Sequence, residues 1–295
     1  MARLTCMRAR ALVVLVALLL GACAKASDRG AGDGSPTPPY PAGPNDLVLR
    51  VDSCCGFVAY EYTLRQLPSF TLTGDGRIMT LGPQIEIYPG PALPNVQEQP
   101  VTDEGIRAIL AEAQKAGLDE SHDYIAQRTI SDAPTTIFTL VDADGTQHVT
   151  RVYALDEADD KGSPAPEQEA RKRLRHLQER LGDLASWLPP GSLGDQREYR
   201  MDALRISVRD YNPQEADPKQ SPQDWPLDAP LATFGDPVEG QAGMRCGVVS
   251  GDLQMLLPEV KRSNELTPWT SESKDYRLFL RPLLPDEHGC ATPGP

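Results

Sequence analysis

Cysteine supplies the clearest chemistry in this chain, and one cysteine closes the sequence Leu20-Gly21-Ala22-Cys23. Three arginines and a run of ten apolar residues, 11–20, come before it. A basic segment, a short apolar segment and small residues before a cysteine are typical of a signal peptide whose removal leaves a lipid-modified cysteine at the N-terminus. We therefore predict that residues 1–22 are removed and that Cys23 carries acyl chains such as palmitate.

A membrane-spanning helix is the rival interpretation of this N-terminal segment, and length argues against it. The apolar run has ten residues, whereas a helix that crosses a bilayer needs roughly twenty. Two or three acyl chains on Cys23 would anchor the protein stably, because one chain alone gives only marginal binding. We expect a lipid anchor on the extracytoplasmic face of the cell membrane.

Four cysteines follow Cys23 in the mature chain, and an exported protein reaches a compartment where disulfides form. They are Cys54, Cys55, Cys246 and Cys290. Three pairings exist, and the sequence favours Cys246 with Cys290, which would clamp the C-terminal tail. The adjacent Cys54 and Cys55 then bond to each other, stay as two small buried thiols or each bind an external partner. The residues alone leave that choice open.

Few residues fit a catalytic or metal-binding pattern. None of the four histidines lies in a His-Glu-x-x-His pattern, and Ser250 lacks the spacing of a nucleophile elbow. Asp75 and Asp144 are the carboxylates considered for acid and base chemistry. A metal site at residues 286–290 is less favoured than exposed polar residues near a terminus. We predict no catalytic residue, no metal and no cofactor.

Charge excludes one class of partner. The whole chain has a formal net charge of −13, which becomes −16 once the three arginines of residues 1–22 are removed. Such a surface is repelled by phosphate groups, so nucleic acid is not an expected partner.

The composition predicts four regions. Residues 1–22 form the signal peptide, and residues 23–45, rich in proline and glycine, form a tether. An α+β domain follows at residues 46–189, and a smaller α+β module occupies residues 195–295. The boundary lies at Pro189-Pro190-Gly191-Ser192-Leu193-Gly194, where residues that stop helices and favour turns are concentrated.

The first domain is predicted to contain an antiparallel sheet with helices packed on one face and the other face solvated or used for binding. Gly74-Asp75-Gly76 lies between two β-forming segments and predicts a hairpin. A helix then begins after Thr102 and stops at Gly117. A second hairpin, at about 136–154, and a second helix complete the order ββα-ββα, which reflects either a duplication or reuse of the same turn chemistry.

The smaller module is predicted from three strands and one short helix. Apolar and polar residues alternate at 203–209, which is typical of a half-buried strand. Residues 245–249 and 276–283 are the other predicted strands. Ser250 is expected to cap a helix at about 251–257.

Several segments resemble uncharacterised actinobacterial lipoproteins. They are residues 70–77, 245–251, 256–258, 264–269 and 281–290. As far as the resemblance goes, that family has no assigned activity, so it implies no catalytic residues. The resemblance would lead us to expect glycines where this chain has Cys54-Cys55. It therefore supports no family-wide role for this pair.

Together these features favour a noncatalytic module that binds an envelope protein or glycan. An envelope hydrolase acting on glycan or peptide is one alternative. A small-ligand sensor or carrier is another.

The lipid anchor gives the first testable expectation. Cys23→Ala should abolish incorporation of labelled palmitate and release the protein from the membrane fraction, because the acylated side chain is lost. The measurement is metabolic labelling with cell fractionation. Cys6→Ala, which changes the signal peptide outside the cleavage motif, should leave both properties unchanged. Label retained in Cys23→Ala would refute the assignment.

Overall fold

The computed structural model describes residues 39–124, 130–157 and 163–290, so Cys23 and most of the predicted tether lie outside the described residues. The described residues pack together as one unit. Its helices are α1 (Tyr60–Thr63), α2 (Asp103–Ala116), α3 (Ala165–Gly182) and α4 (Leu253–Arg262). Short 3-10 turns occur at Leu184–Ser186 and Leu231–Thr233.

Two sheets organise the chain. Their strands are β1 (Leu47–Cys54), β2 (Phe70–Thr73), β3 (Arg77–Leu81), β4 (Val96–Pro100), β5 (His122–Tyr124), β6 (Thr135–Val141), β7 (Gln147–Tyr153), β8 (Arg197–Glu198), β9 (Leu204–Asp210), β10 (Gln223–Asp224), β11 (Asp236–Pro237), β12 (Arg245–Val249), β13 (Pro268–Ser271) and β14 (Lys274–Pro282). The first sheet has the order β5-β7-β6-β1-β2-β3-β4-β8 and the second the order β10-β13-β14-β9-β12-β11. All neighbours are antiparallel except β5 with β7 and β10 with β13. The predicted α+β class with antiparallel sheets is thereby confirmed.

The first sheet forms where local signals predict it. The β2–β3 hairpin turns at residues 74–76 and the β6–β7 hairpin at 142–146, and both flank β1. Thr102 caps α2 by accepting a hydrogen bond from the Gly105 amide at 3.3 Å. Gly117 ends that helix with a φ of 89°, a conformation that glycine adopts without steric cost.

Helices α2 and α3 cover one face of the first sheet. Their apolar residues, including Ile109 and Leu174, pack with Leu49 and Phe138 in one buried cluster. Tyr40, within the segment predicted as a tether, belongs to the same cluster. Its hydroxyl donates to Asp103 Oδ1 at 2.5 Å, and burial, followed by that hydrogen bond, raises the pKa of Tyr40 to about 12.

The second sheet has its own core against α4. Ile206 and Leu280 pack with Trp269 and with Leu256 of that helix. The expected cap at Ser250 is wrong: the helix begins at Leu253, with Asp252 at the N-cap position and no side-chain capping bond. Two turn residues separate Ser250 from the helix, so its side chain is too early in the chain to reach the first free amides.

The face of the first sheet opposite α2 and α3 is not solvated at its centre, and there the expectation of a solvated face is wrong. Arg50, Thr71 and Met79 are buried. Met79 packs with Leu67, from the connection between β1 and β2, and with Leu284, from the tail after β14. The connection and the tail cover this face because both carry apolar side chains that need burial.

Arginines of the second sheet point toward the same connection. Arg205 Nη2 donates to the Leu64 carbonyl at 3.0 Å, and Arg281 Nε donates to the Gln66 carbonyl at 2.7 Å. Burial, with the nearby charge of Arg281, lowers the pKa of Arg205 to about 10. The connection thus lies between the sheets and supplies backbone acceptors to buried guanidinium groups.

The tail adds carboxylates to the buried polar groups between the sheets, which we call the polar layer. Glu287 accepts two hydrogen bonds from Arg281, at 2.6 and 2.7 Å, and Asp286 pairs with Arg50 of β1 at 2.6 Å. Cys246 and Cys290 are disulfide-bonded with Cα atoms 5.9 Å apart, which is the clamp that the sequence predicts. The tail is therefore tied to β12 covalently and to both sheets by charge.

Glu287 should link stability to pH. Burial acts to raise its pKa, but the hydrogen bonds and charge of Arg281 and the charge of Arg50 outweigh burial, so the pKa is lowered. Its contribution is complete above its ordinary value of 4.5 and is lost as the pH falls through the folded-state value. Glu287→Gln should lower the free energy of unfolding by roughly 3 kcal/mol at pH 7, because it leaves buried arginine charge uncompensated.

Urea unfolding at pH 7 and pH 3 measures this difference. The deficit of Glu287→Gln should be smaller at pH 3, because the contribution of the wild-type carboxylate begins to fall below pH 4.5. Glu215→Gln is the control, because that half-exposed carboxylate pairs with Arg209 at the surface and should change stability by less than about 1 kcal/mol. An equal deficit at both pH values would contradict the assignment.

Candidate functional site

Exposed apolar side chains are concentrated in two segments. Nine large apolar residues are exposed in the described part of the chain, and seven of them lie at residues 57–62 and 81–88. They are Phe57, Val58, Tyr62, Leu81, Ile85, Ile87 and Tyr88. Single exposed apolar residues are ordinary on a surface, but a concentration of them marks a binding site.

Both segments emerge from the same end of the first sheet. Strands β1 and β3 are each antiparallel to β2, so they run in the same direction. The segments follow β1 and β3, whereas residues 39–46 enter at the opposite end, where the Asp46 carbonyl accepts from the Gly74 amide. Eight residues of β1 separate the two ends by roughly 26 Å. We call residues 55–63 the first distal loop and residues 81–91 the second distal loop.

The first distal loop begins at a disulfide between adjacent residues. Cys54 and Cys55 are bonded to each other, with Cα atoms 3.7 Å apart. Cys55 and Gly56 both have positive φ, 68° and 79°, so the chain turns sharply there. The Phe57 amide donates to the Asp132 carbonyl at 3.1 Å, while the Phe57 side chain is 88% exposed. A fixed backbone thus presents an aromatic ring to solvent.

The second distal loop is held at its base. Arg65 Nη1 pairs with Glu265 Oε2 at 2.7 Å, and Arg65 Nη2 donates to the Pro91 carbonyl at 2.8 Å. Glu265 Oε1 accepts from the Gly90 amide at 3.0 Å. The base is therefore fastened to the connection between α4 and β13, while Ile87 and Tyr88 remain exposed.

A cleft adjoins the second distal loop at the β4–β8 edge of the first sheet. Its volume is about 1030 Å³. We call it the edge cleft. Its walls come from residues 83–85, 91–96, 197–201 and 257–263.

Charged groups at the edge cleft are partly paired. Glu98, 5% exposed, accepts from Arg197 Nε at 3.1 Å and from Arg197 Nη2 at 2.5 Å. Lys261 pairs with Glu198 at 3.2 Å. The Tyr199 hydroxyl donates to the Leu283 carbonyl at 2.9 Å, and burial raises the pKa of Tyr199.

The two carboxylates considered for catalysis both serve hairpin turns. Asp75 accepts from the Thr73 hydroxyl and from Arg77 Nε, each at 2.7 Å. Asp144 accepts from the Thr146 amide at 2.9 Å, and that hydrogen bond lowers its pKa. Each carboxylate is bonded within its own hairpin, and His148, whose charge also acts on Asp144, pairs with Asp142 Oδ2 at 2.7 Å.

The remaining candidate residues have structural contacts. Asp286 and Glu287 engage arginines, and Cys290 is in the disulfide. Among the described ranges, no three histidine, cysteine or acidic side chains are placed to hold a metal ion. No helix within those ranges has the length and apolar character to cross a membrane.

Sequence reasoning missed the distal loops and the edge cleft. The signal that could have indicated the second distal loop is the close spacing of Ile85, Ile87 and Tyr88 between Pro83 and Pro89. Apolar residues in a proline-bounded loop have no periodic strand or helix to bury them. The cleft has no comparable signal, because its walls come from segments far apart in sequence.

No family model, curated protein or solved structure matches the chain. The resemblance to actinobacterial lipoproteins accordingly stays a prediction.

The base of the second distal loop can be tested directly. Arg65→Met should speed hydrogen exchange at the Gly90 and Ala92 amides about tenfold, because a charge-assisted contact worth roughly 1.5 kcal/mol is lost. Exchange followed by mass spectrometry measures this. Arg107→Met removes an exposed pair with Asp103 on α2 and should leave residues 82–92 unchanged. Unaltered exchange in Arg65→Met would show that the loop is held by other contacts.

Proposed function

We propose that the protein is a lipid-anchored module on the extracytoplasmic face of the cell membrane that binds another envelope component, most simply a protein, through its two distal loops. One observation carries this proposal. Seven of nine exposed large apolar side chains in the described ranges lie on these loops, at one end of the first sheet.

The energetics favour an association surface. Covering apolar area contributes about 25 cal/mol per Å², and aromatic residues are enriched where proteins bind partners. Phe57, Tyr62 and Tyr88 provide three aromatic rings, and Val58, Ile85 and Ile87 add aliphatic surface that suits a protein better than a glycan. Because the loop bases are held by hydrogen bonds and ion pairs, little conformational entropy is lost on binding.

The position of the loops suits a tethered protein. Residues 39–46 enter at the end of the sheet away from the loops, so a tether attached there would leave the loops accessible. A proline-rich segment reaches about 3.1 Å per residue when extended. The anchor then fixes the module near the membrane, and the loops make the contact.

Site-specific photo-crosslinking in cells tests the proposal. A photoreactive residue at Phe57 and, separately, at Ile87 should give a covalent adduct of the same partner. Val248, exposed on β12 of the second sheet, is the control position and should not. Adding Tyr88→Ser to the position-57 protein should reduce the adduct at least severalfold, because both loops contact one partner.

Two outcomes would refute the proposal. One is the absence of adducts at both loops in the anchored protein. The other is an identical set of adducts at position 248, which would indicate nonspecific proximity rather than a binding surface.

A further inference from the structure

We propose that the edge cleft, which adjoins the second distal loop and shares Ile85 with it, is a binding site for a long-chain aliphatic carboxylate. At about 1030 Å³, the cleft is at the upper end of the range that holds small organic ligands. Its walls, its charge and its short strand edge each bear on the occupant.

The walls combine apolar and polar side chains, and the apolar ones are held in place by the protein core. Leu93 and Leu257 pack against the core of the second sheet, and Met201 packs against both that core and the cluster around Met79. Ile85 and several prolines add to this apolar part of the lining, beside polar residues such as Gln84, Asn95 and Ser263. Side chains held by a core on one side and open to a cleft on the other make a preformed surface for an aliphatic chain.

The charge of the cleft is opposite in sign to that of the molecule. Two cationic side chains of the lining form ion pairs, Arg197 with Glu98 and Lys261 with Glu198. Arg200 also lines the cleft, is exposed and has no ion pair among the described residues. The lining thus carries one unmatched positive charge in a chain whose formal net charge is −13. A guanidinium group binds a carboxylate through two parallel hydrogen bonds.

An extended peptide suits this cleft less well than an aliphatic chain. Strand β4 pairs with β3 on one side and β8 on the other. Beyond β8, the Tyr199 amide donates to the Val96 carbonyl at 2.9 Å, and the Gly82 amide donates to the Asn95 carbonyl at 2.8 Å. The outermost strand, β8, has only two residues, so a peptide would find little of the strand edge that β-augmentation requires. An aliphatic chain needs no such partners.

Oleate is the probe for the test, with oleyl alcohol as the neutral compound of equal chain length. Binding is measured on the full mature chain with Cys23→Ala, so that its own acyl groups do not compete, by displacement of a fluorescent fatty acid below micellar concentrations. Oleate should bind at least fivefold more tightly than oleyl alcohol. Arg200→Gln should weaken oleate about tenfold, through loss of a charge-assisted bond, and leave oleyl alcohol within twofold.

Two further variants separate the cleft from nonspecific binding. Leu257→Trp, which fills the cleft, should weaken both compounds, and its thermal unfolding reports whether the fold is kept. Arg173→Gln removes an exposed arginine on α3 and should change neither affinity. The proposal is overturned if oleate does not bind, if Arg200→Gln and Arg173→Gln bind oleate equally, or if the alcohol binds as tightly as oleate.

Discussion

The packing of the two sheets depends on hydrogen-bond acceptors for the arginines buried between them. A guanidinium group keeps its charge inside a protein, so each buried one requires acceptors. Arg205 and Arg281 donate to backbone carbonyls of the connection between β1 and β2. Arg281 also binds a carboxylate of the tail, and so does Arg50. The two sheets therefore meet through a polar layer whose partners come from three distant parts of the sequence.

This constraint also positions the surfaces to which we assign binding. The carbonyls of Leu64 and Gln66 are occupied by arginines of the second sheet, which fixes the chain directly after the first distal loop. Between them, Arg65 binds Glu265, which also accepts from the Gly90 amide of the second distal loop. Three consecutive residues thus couple the packing of the sheets to both loops. The edge cleft follows from the same arrangement, because its walls join β4 of the first sheet to α4 beside the second.

Elements that form through local interactions could be predicted from the sequence. The β2–β3 hairpin follows from Gly74-Asp75-Gly76, and α2 follows from the cap at Thr102 and the stop at Gly117, because each depends on residues a few positions apart. The covered face of the first sheet could not be predicted in this way. Arg50 and Asp286 are 236 positions apart, and the strand pattern around Arg50 resembles that of an exposed residue. The distal loops and the edge cleft escaped prediction for a related reason, since they are defined by what the fold leaves uncovered.

The position of the tail in the sequence has a consequence for biogenesis. Because a chain is synthesised from its N-terminal end, β1 is made before Asp286, Glu287 and Cys290. Arg50 and Arg281 lack their carboxylate partners, and Cys246 its thiol partner, until the tail has been synthesised. Local hairpins and helices form early, whereas closure of the polar layer waits for the final residues. The ion pairs and the disulfide that join the two sheets through the tail therefore form only after the elements of both sheets have been made.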